Sequence, residues 1–426
     1  MTDRTSASPG RLLLVAATTG YQTKAFADAA RRAGYDLALA TDRCHILEDP
    51  WGDHAIPVRF DEPVVSAELI ALEAKQRPFL GIVVVGDRPT LLAAVAAERL
   101  GLPHNSPASV AACRDKYLAR QLYKSAGMRV PWFFRSRIGE DPRQLARRAL
   151  YPCVLKPLGL SGSRGVIRAN NEAEFVAAFE RIRAILDGVS IRILKEEQNR
   201  YVQVEAFIPG REFAVEGILT AGRLDVTAIF DKPDPLDGPH FEETIYVTPS
   251  RAEGTVQREL VEATASAVRA LGLSRGAIHA ELRWNEEGPW ILEVAARPIG
   301  GLCARILRFG NGTPYEEIIL RHAAGEDIGG LTPERPAAGA MMIPIPKGGV
   351  YEGADGVDGA GRVPGIDEVH ITAKVGQHLI PLPEGATYLG FIFASGSDPA
   401  AVEQSLRLAH AEMRFRIVAS LPVLGC

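Results

Sequence analysis

The sequence predicts an α/β domain followed by α+β structure in a single chain. Strand and helix patterns alternate over the first hundred residues, which is typical of a parallel sheet covered by helices on both faces. From residue 201 onward, short strands with period-2 alternation are separated by glycine turns, a pattern typical of antiparallel sheet. A chain of 426 residues is long enough for about two to four domains.

The N-terminal elements support a Rossmann-like domain, which we predict over residues 1–112. The predicted elements are strands over Leu12–Ala16, Asp36–Ala40 and Leu80–Val85, and helices over 24–33 and 90–100. The last of these strands is a β-branched run of the kind buried on both faces of a parallel sheet. The turn Thr18-Thr19-Gly20 lacks the Gly-x-Gly-x-x-Gly fingerprint, so we predict no dinucleotide site.

The remaining elements follow from turn residues and apolar periodicity. Helices are predicted over 110–126, Glu172–Leu186, 254–271 and 399–414. Strands are predicted toward Arg135, over Tyr151–Lys156, as three segments within 201–230, and over Ala277–Trp284, Trp290–Val294, Val369–Ala373 and Tyr388–Ala394. The segment 346–365 is rich in glycine, so we expect loop and turn there.

Composition excludes several classes of protein. Hydrophobic residues make up 46% of the chain and charged residues 23%, which is ordinary for a globular protein. The net charge of -4 gives no indication of a nucleic-acid partner. No apolar run approaches the roughly 20 residues that a membrane span needs. The five cysteines are widely spaced, so we expect reduced thiols in a cytoplasmic protein.

Two acids stand opposite each other on a predicted hairpin. Glu281 shares a strand face with His279 and Arg283, because side chains alternate along a strand. A three-residue loop, Glu286-Glu287-Gly288, would pair Glu281 with Glu293. Facing carboxylates repel each other, and a divalent cation would remove the repulsion, with Mg²⁺ favoured by oxygen ligands. A solvated hairpin with incidental acids is the alternative.

Two further segments carry candidate binding groups. The run Lys156-Pro157-Leu158-Gly159-Leu160-Ser161-Gly162-Ser163-Arg164-Gly165 delivers a lysine to a glycine loop, whose backbone N–H groups can cradle phosphate. In Val204-Glu205-Ala206-Phe207-Ile208-Pro209-Gly210-Arg211-Glu212, a strand end passes through a turn between two acids. Such a strand end can offer backbone groups to a purine, and the second acid can hold ribose hydroxyls. A plain surface turn and an ordinary hairpin are the respective alternatives.

The order of these segments resembles the ATP-grasp superfamily over residues 110–310. The resemblance implies an ATP-grasp domain over 113–330, with the lid and glycine loop in 113–198 and the nucleotide and metal half in 199–330. It also implies a small C-terminal α+β subdomain over 331–426. The nucleotide residues that it implies are Lys116 and Lys156 for phosphate, Gly159, Ser161, Gly162, Ser163 and Gly165 in the loop, Glu205, Phe207 and Ile208 at adenine, and Glu212 at ribose. Glu281 and Glu293 match the Mg²⁺ ligands.

One departure from the common superfamily pattern points to a particular family within the superfamily. The superfamily commonly has Glu-x-Asn before an arginine, whereas this chain has Glu293-Val294-Ala295-Ala296-Arg297-Pro298-Ile299-Gly300-Gly301. Alanine at 295 cannot bind a metal. Glu-x-x-x-Arg-Pro-x-Gly-Gly is similar to the L-amino-acid ligases that make dipeptides. That resemblance implies a substrate pocket at Glu243, Tyr246, Arg297, Gly300 and Gly301, with Arg297 and Lys156 as catalytic residues.

The implied reaction is ATP-dependent ligation of a carboxylic acid to an amine, with an amino acid expected in each case, through an acyl phosphate and with ATP and Mg²⁺ (or Mn²⁺) required. The alternatives are a ligase for a non-standard acid or amine, including one building a nucleotide precursor, and a non-catalytic ATP-binding module. A biotin-dependent carboxylase is disfavoured, because the chain has no Met-Lys-Met biotin site. A homodimer is the default expectation. Tyr21, Trp51 and Asp87 are further candidates for the pocket border.

Overall fold

The N-terminal region forms a parallel sheet. The computed structural model describes residues 10–18, 22–42 and 55–419; Tyr21 and Trp51 therefore lie outside the described residues. The elements are β1 (Arg11–Ala16), α1 (Thr23–Ala33), β2 (Asp36–Thr41), β3 (Ile56–Pro57), α2 (Pro63–Gln76), β4 (Gly81–Val85) and α3 (Pro89–Leu100). The strand order is β3-β2-β1-β4. Because parallel strands end at one edge, Asp87, just beyond β4, lies at the carboxyl edge of this sheet.

A second, antiparallel sheet carries the glycine loop. Its region contains α4 (Pro107–Arg114), α5 (Lys116–Ser125), β5 (Phe133–Arg137), α6 (Pro142–Ala146), β6 (Cys153–Pro157), β7 (Ile167–Ala169), α7 (Glu172–Asp187), α8 (Val189–Arg192) and β8 (Tyr201–Ala206). The strand order is β5-β8-β6-β7. Apolar side chains of α7, led by Phe175 and Phe179, pack against this sheet. The loop between β6 and β7 holds residues 158–166.

The largest sheet has eight strands. The elements that follow are β9 (Arg211–Thr220), β10 (Arg223–Lys232), β11 (Ile245–Thr248), α9 (Gly254–Leu271), β12 (Gly276–Asn285), β13 (Gly288–Ala295), β14 (Arg308–Phe309), β15 (Thr313–Pro314) and α10 (Tyr315–Ala323). The chain then forms β16 (Ala337–Ile343), β17 (Gly349–Asp355), α11 (Val357–Gly361), β18 (Ile366–Ile371), β19 (His378–Leu379), β20 (Gly390–Gly396), α12 (Pro399–Ala411) and β21 (Arg414–Val418). The strand order in the large sheet is β13-β12-β9-β10-β11-β16-β20-β18.

The C-terminal segment is joined to this sheet by strand pairing. Strands β16, β20 and β18 extend it beyond β11, and α12 packs on β16 and β20. A separate small sheet has the order β19-β17-β21. The predicted α/β and α+β fold class is confirmed. The exact domain boundaries at 112 and 330 stay a prediction.

Two local predictions were wrong. The helix predicted over 110–126 is two helices, because Asp115 is extended and its carboxylate caps α5 by accepting from the N–H groups of Tyr117 and Leu118. The segment 346–365 contains β17 and α11 instead of loop only. Its glycines allow close strand approach: a Cβ on Gly349 would lie 2.3 Å from the carbonyl oxygen of Val418. The three strands predicted within 201–230 are confirmed as β8, β9 and β10. β8 belongs to the four-stranded sheet β5-β8-β6-β7, which we call the lid sheet, and β9 and β10 belong to the large sheet.

Cysteines and helices give two further observations. Cys113, Cys153 and Cys303 are buried and free, in agreement with the expectation of reduced thiols for these three. Within the ranges that the structure describes, no helix has both the length and the apolar character required to cross a lipid bilayer.

Candidate active site

A deep cleft lies where the lid sheet, the large sheet and the edge of the N-terminal sheet meet. Among the predicted site residues, the ones that line it are Lys116, Lys156, Ser161, Gly162, Ser163, Glu205, Phe207, Ile208, Glu212, Glu243, Tyr246, Glu281, Glu293, Arg297, Gly300 and Gly301. The two predicted loop residues that do not line it are Gly159 and Gly165. Gly159 packs against Asn199, and Gly165 against Pro157. These two glycines therefore shape the loop by packing against the protein and not by lining the cleft.

The paired acids face each other, although the hairpin differs from the predicted one. Glu281 on β12 pairs directly with Glu293 on β13. At the hairpin end, Asn285 pairs with Gly288, so the loop has two residues and not three. A β-bulge between Glu281 and Leu282 shifts the register by one residue and restores the predicted pairing. Both carboxylates line the cleft.

Glu205 is the centre of a buried ion network. Its carboxylate accepts from Arg120 Nε at 3.0 Å and from Arg120 Nη2 at 3.3 Å, and Lys156 Nζ lies 2.5 Å from Oε1. Burial alone would raise the pKa of Glu205, but the charges of Arg120 and Lys156 lower it to about 2. The network fixes Lys156 at the cleft wall. Arg120 also donates to the carbonyl of Ile291 at 2.8 Å. This bond connects α5 to the β12–β13 hairpin, which we call the carboxylate hairpin because it carries Glu281 and Glu293.

Contacts on two sides hold the glycine loop between β6 and β7 in place. Lys116 Nζ donates to the carbonyl of Leu160 at 2.9 Å and lies 3.4 Å from Glu293 Oε2. On the other side, the Gly165 N–H donates to the carbonyl of Pro383 at 2.9 Å. Arg181 on α7 forms a forked pair with Glu384, at 2.5 and 3.1 Å. The C-terminal segment therefore contacts the lid over the cleft.

Backbone groups at the strand end behind Glu205 are partly free. The N–H of Ala206 donates to Trp132, and the N–H of Phe207 donates to Pro152. The carbonyl of Ile208 accepts from Arg283 Nη1 at 2.7 Å. The N–H of Ile208 has no backbone or side-chain acceptor among the described residues. It is the donor in this segment that remains for a ligand.

Glu243, predicted for substrate binding, belongs to a buried cluster of charges. It accepts from Lys232 Nζ at 2.5 Å and from the Tyr246 hydroxyl at 3.0 Å. Burial raises the pKa of Glu243 to about 7, with the negative charge of Glu281 acting in the same direction. Glu212, predicted at ribose, accepts from Lys232 at 2.8 Å and from Arg283 at 2.9 Å. Both acids therefore already have cationic partners.

His279 connects the metal-site candidate to the protein interior. Its Nδ1 lies 3.0 Å from Oε2 of the fully buried Glu216, and its Nε2 lies 3.4 Å from Glu281 Oε1. Burial opposes the imidazolium charge, but hydrogen bonds to Glu216 and Glu281 raise the pKa of His279 to about 9. Glu216 Oε1 accepts from the N–H of Ile299 at 3.0 Å. The same dyad therefore holds the segment after Arg297.

Arg297 is held by the N-terminal region. Its Nε and Nη2 donate to the two oxygens of Asp87, at 2.8 and 3.1 Å. Gln22 donates to the carbonyl of Ile299 at 2.6 Å. Burial alone would raise the pKa of Asp87, but the adjacent Arg297 charge lowers it overall. Of the three border candidates, the structure therefore brings Asp87 to the cleft.

Several site residues were not predicted. The main ones are Gln22, Arg120, Glu216, Lys232 and Arg283. Cross-strand pairing contains a signal for two of them: Glu216 pairs with His279, and Glu212 pairs with Arg283, on the face that carries Glu281. The sequence places Glu212 and Glu216 four residues apart in an apolar strand, which puts both on one face. Lys232 and Arg120 give no comparable local signal.

Comparisons with known proteins agree with this architecture. Family models match residues 27–104 as an ATP-grasp N-terminal domain, 149–306 as an ATP-grasp domain, and 341–418 as L-amino acid ligase C-terminal domain 2. The chain has the ATP-grasp fold and is similar to the L-amino acid ligases. The crystal structure of an L-amino acid ligase from Bacillus licheniformis matches with a TM-score of 0.82 at 24% identity, covering 97% of this chain and 100% of that one.

Curated relatives match the chain over part of their length. Dapdiamide A synthase of Enterobacter agglomerans is 31% identical over 193 residues, which are 45% of this chain and 44% of that protein. Alanine–anticapsin ligase of Bacillus subtilis is 28% identical over 221 residues, which are 49% of this chain and 46% of that protein. The chain thus spans less than half of the length of these two relatives.

Proposed function

We propose that the protein is an ATP-dependent carboxylate–amine ligase that joins L-amino acids through an acyl phosphate. The observation that carries the proposal is the convergence of Lys116, Lys156, Glu281, Glu293 and Arg297 on one cleft. Phosphoryl transfer asks a protein mainly for positioning and for neutralisation of charge. Two lysines, two facing carboxylates and a held arginine meet that requirement, and the similarity to amino-acid ligases supports it further.

The proposed nucleotide contacts use groups that line the cleft. The free N–H of Ile208 is available to the purine edge, and the loop at Ser161, Gly162 and Ser163 offers backbone donors to phosphate. Lys156 and Lys116 add positive charge at either side of that loop. Glu212 is the proposed ribose ligand, and its carboxylate would have to accept ribose hydroxyls beside its bonds from Lys232 and Arg283.

The donor set at Glu281 and Glu293 fits Mg²⁺. Both residues supply carboxylate oxygens, which hard divalent cations prefer, and they are direct cross-strand neighbours. Glu281 is kept ionised, since its pKa is lowered overall: burial raises it, but Lys232 and the hydrogen bond from His279 more than offset burial. When bound, Mg²⁺ supplies positive charge that polarises the phosphate oxygens.

In the proposed reaction, a substrate carboxylate attacks the γ-phosphorus of ATP, and the bond to the β-phosphate oxygen breaks to release ADP. Arg297 and Lys156 hold the oxygens on which negative charge collects. A neutral amine then attacks the acyl carbon, phosphate leaves, and the amine loses a proton. Glu243 is proposed to bind the ammonium of the acid substrate, and Tyr246, Gly300 and Gly301 line the same pocket. The loop and the C-terminal segment exclude water from the intermediate.

The finer properties are part of the same proposal. We propose Mg²⁺ or Mn²⁺ as the metal and small carboxylic acids and amines as the substrates, in a cytoplasmic setting. The second candidate is a ligase that joins an amino acid to a non-standard acid or amine. Small residues near the pocket, Gly300 and Gly301, favour room beside the acid, which is compatible with either candidate.

The test is amino-acid-dependent phosphate release from MgATP over all pairs of L-amino acids, with product mass measured in each. Phosphate together with a dipeptide mass is the expected result. Glu293→Gln should abolish release while the circular dichroism spectrum is unchanged, and Glu287→Gln in the exposed hairpin loop is the matched control. Phosphate without a dipeptide would favour the second candidate. ATP binding without turnover in any pair of amino acids or with other acids would favour a non-catalytic module.

A further inference from the structure

A buried lysine connects the three acids that the proposed function assigns to different tasks. Lys232 ends β10, and its side chain is 3% exposed. Its Nζ lies 2.8 Å from Glu212 Oε1, 2.5 Å from Glu243 Oε1 and 3.6 Å from Glu281 Oε2. The Tyr246 ring centroid is 5.1 Å from the same nitrogen. Lys232 does not line the cleft, so it acts on the site from behind.

The three acids are arranged as a cation would require. One oxygen each of Glu212, Glu243 and Glu281 lies within 4.8 Å of the others. Three carboxylates this close repel one another unless positive charge stands among them. The ammonium of Lys232 is within hydrogen-bond reach of two of the oxygens and within 3.6 Å of the third acid. The cluster therefore contains its own cation.

The remaining oxygens of these acids are assigned to other groups. Arg283 Nε donates to Glu212 Oε2 at 2.9 Å, and the Tyr246 hydroxyl donates to Glu243 Oε2 at 3.0 Å. His279 Nε2 faces Glu281 Oε1 at 3.4 Å. Lys232 is thus the group that joins the three acids to one another, while Arg283, Tyr246 and His279 each hold a single acid.

We propose that Lys232 is a positioning residue that serves as a built-in cation. Its ammonium fixes Glu243 beside Glu212 and fills the position at which this acid cluster would otherwise take up a divalent cation. The ammonium therefore couples the ribose acid to the substrate acid and confines metal binding to the Glu281–Glu293 pair. The kinetic part of this inference rests on the proposed function, whereas the metal-binding part does not.

The first test counts divalent ions on the nucleotide-free full chain. Mn²⁺ is titrated and its free fraction is measured by electron paramagnetic resonance, for the wild type, Lys232→Met, Lys232→Arg and the exposed control Lys347→Met. We expect Lys232→Met to bind one Mn²⁺ per chain more than the wild type. Lys232→Arg and Lys347→Met should match the wild type, because both keep a cation in the cluster. Equal stoichiometry in all four proteins would overturn the inference.

Loss of a buried cation can also prevent folding, and that outcome is informative. If Lys232→Met is unfolded in EDTA, the inference requires Mn²⁺ to restore its wild-type circular dichroism spectrum, because the metal replaces the missing charge. Lys232→Gln, which keeps a polar side chain, is examined in parallel. If both variants stay unfolded in EDTA and in Mn²⁺ alike, Lys232 has a purely structural role and the inference fails.

The kinetic test separates positioning from general damage. With the amino-acid pair that turns over best, Lys232→Met should raise the KM of the acid substrate at least tenfold. Lys232→Arg should bring this KM most of the way back to the wild-type value. A fall in kcat with unchanged KM values would contradict the assigned role. An inactive wild type would overturn the proposed ligase function and leave the Mn²⁺ count valid. An active wild type without the extra Mn²⁺ site in Lys232→Met would overturn only the Lys232 inference.

Discussion

The contact between Asp87 and Arg297 gives the sharpest quantitative prediction. Asp87 follows a strand of the N-terminal sheet, and Arg297 follows the carboxylate hairpin, so their forked pair crosses between two parts of the chain. Asp87→Asn keeps the shape of the side chain but removes its charge and one acceptor oxygen. The expected consequence is an arginine that is less well fixed over the proposed phosphate site.

The size of this effect follows from the two bonds. A hydrogen bond to a charged group contributes about 1.5–3 kcal/mol, and asparagine retains one of the two acceptors. A loss of about 2 kcal/mol corresponds to roughly a 30-fold lower kcat/KM, since each 1.36 kcal/mol is about tenfold in rate. The wild-type pair should not titrate near neutrality, because the net effect of the surroundings lowers the pKa of Asp87. The deficit should therefore be constant over neutral and mildly alkaline pH.

The assay is amino-acid-dependent phosphate release by Asp87→Asn beside a matched control. Asp367→Asn removes the same charge from an exposed pair with Arg335, whose Nη1 lies 2.7 Å from both oxygens of Asp367. Exposed ion pairs contribute about 0–1 kcal/mol, so the control should keep near-wild-type activity. Wild-type kcat/KM in Asp87→Asn, or equal losses in both variants, would refute the assignment of Asp87 as the group that positions Arg297.

Three other perturbations test separate parts of the site. With a Glu243 pKa of about 7, the ionised form that we propose binds the substrate ammonium is lost as pH falls, so the KM of the acid substrate should rise about tenfold from pH 8 to pH 6. A Glu243→Gln variant that retains this rise in KM at low pH would contradict the assignment. Arg120→Met leaves Glu205 buried with one cation fewer, which costs about 3–5 kcal/mol; the thermal midpoint should fall by several degrees, and an unchanged midpoint would show that the fork does not stabilise the fold. Gly165 has φ +72° and lies where a Cβ would be 2.7 Å from Pro157 Cγ, so Gly165→Ala should weaken ATP binding measured by calorimetry, unlike Gly139→Ala, whose Cβ would meet open space.

The parts of the site predicted best are those with local sequence signals. The pairing of Glu281 with Glu293 follows from period-2 alternation and a glycine turn, and it occurs in the structure. The predicted loop length was wrong, but the bulge after Glu281 compensates for it. A register argument can therefore give the correct partner for an incorrect reason, since an error of one residue in the loop and a bulge of one residue cancel.

The parts that could not be predicted depend on long-range packing. Lys232 and Arg120 are charged residues beside apolar segments. The sequence does not indicate that Lys232 contacts three acids or that Arg120 contacts a buried carboxylate. Their contacts join residues up to 171 positions apart, as Arg120 and Ile291 show. The strand in 346–365 was missed for the same reason, because β17 pairs with β21 more than 60 residues later, and local composition alone favours loop.

The pairing between β10 and β11 in the large sheet is sparse, and this affects which segments could be exchanged between related proteins. β10 and β11 share a single registered pair, Asp231 with Val247, whereas β11 and β16 share four. In hydrogen bonding, β11 therefore belongs with the C-terminal strands, although it precedes them by about 90 residues in sequence. A chimera that exchanges only the chain after residue 330 would give β11 a foreign neighbour. One that also exchanges β11 would transfer Tyr246 and an intact edge, and would carry part of the proposed substrate pocket with it.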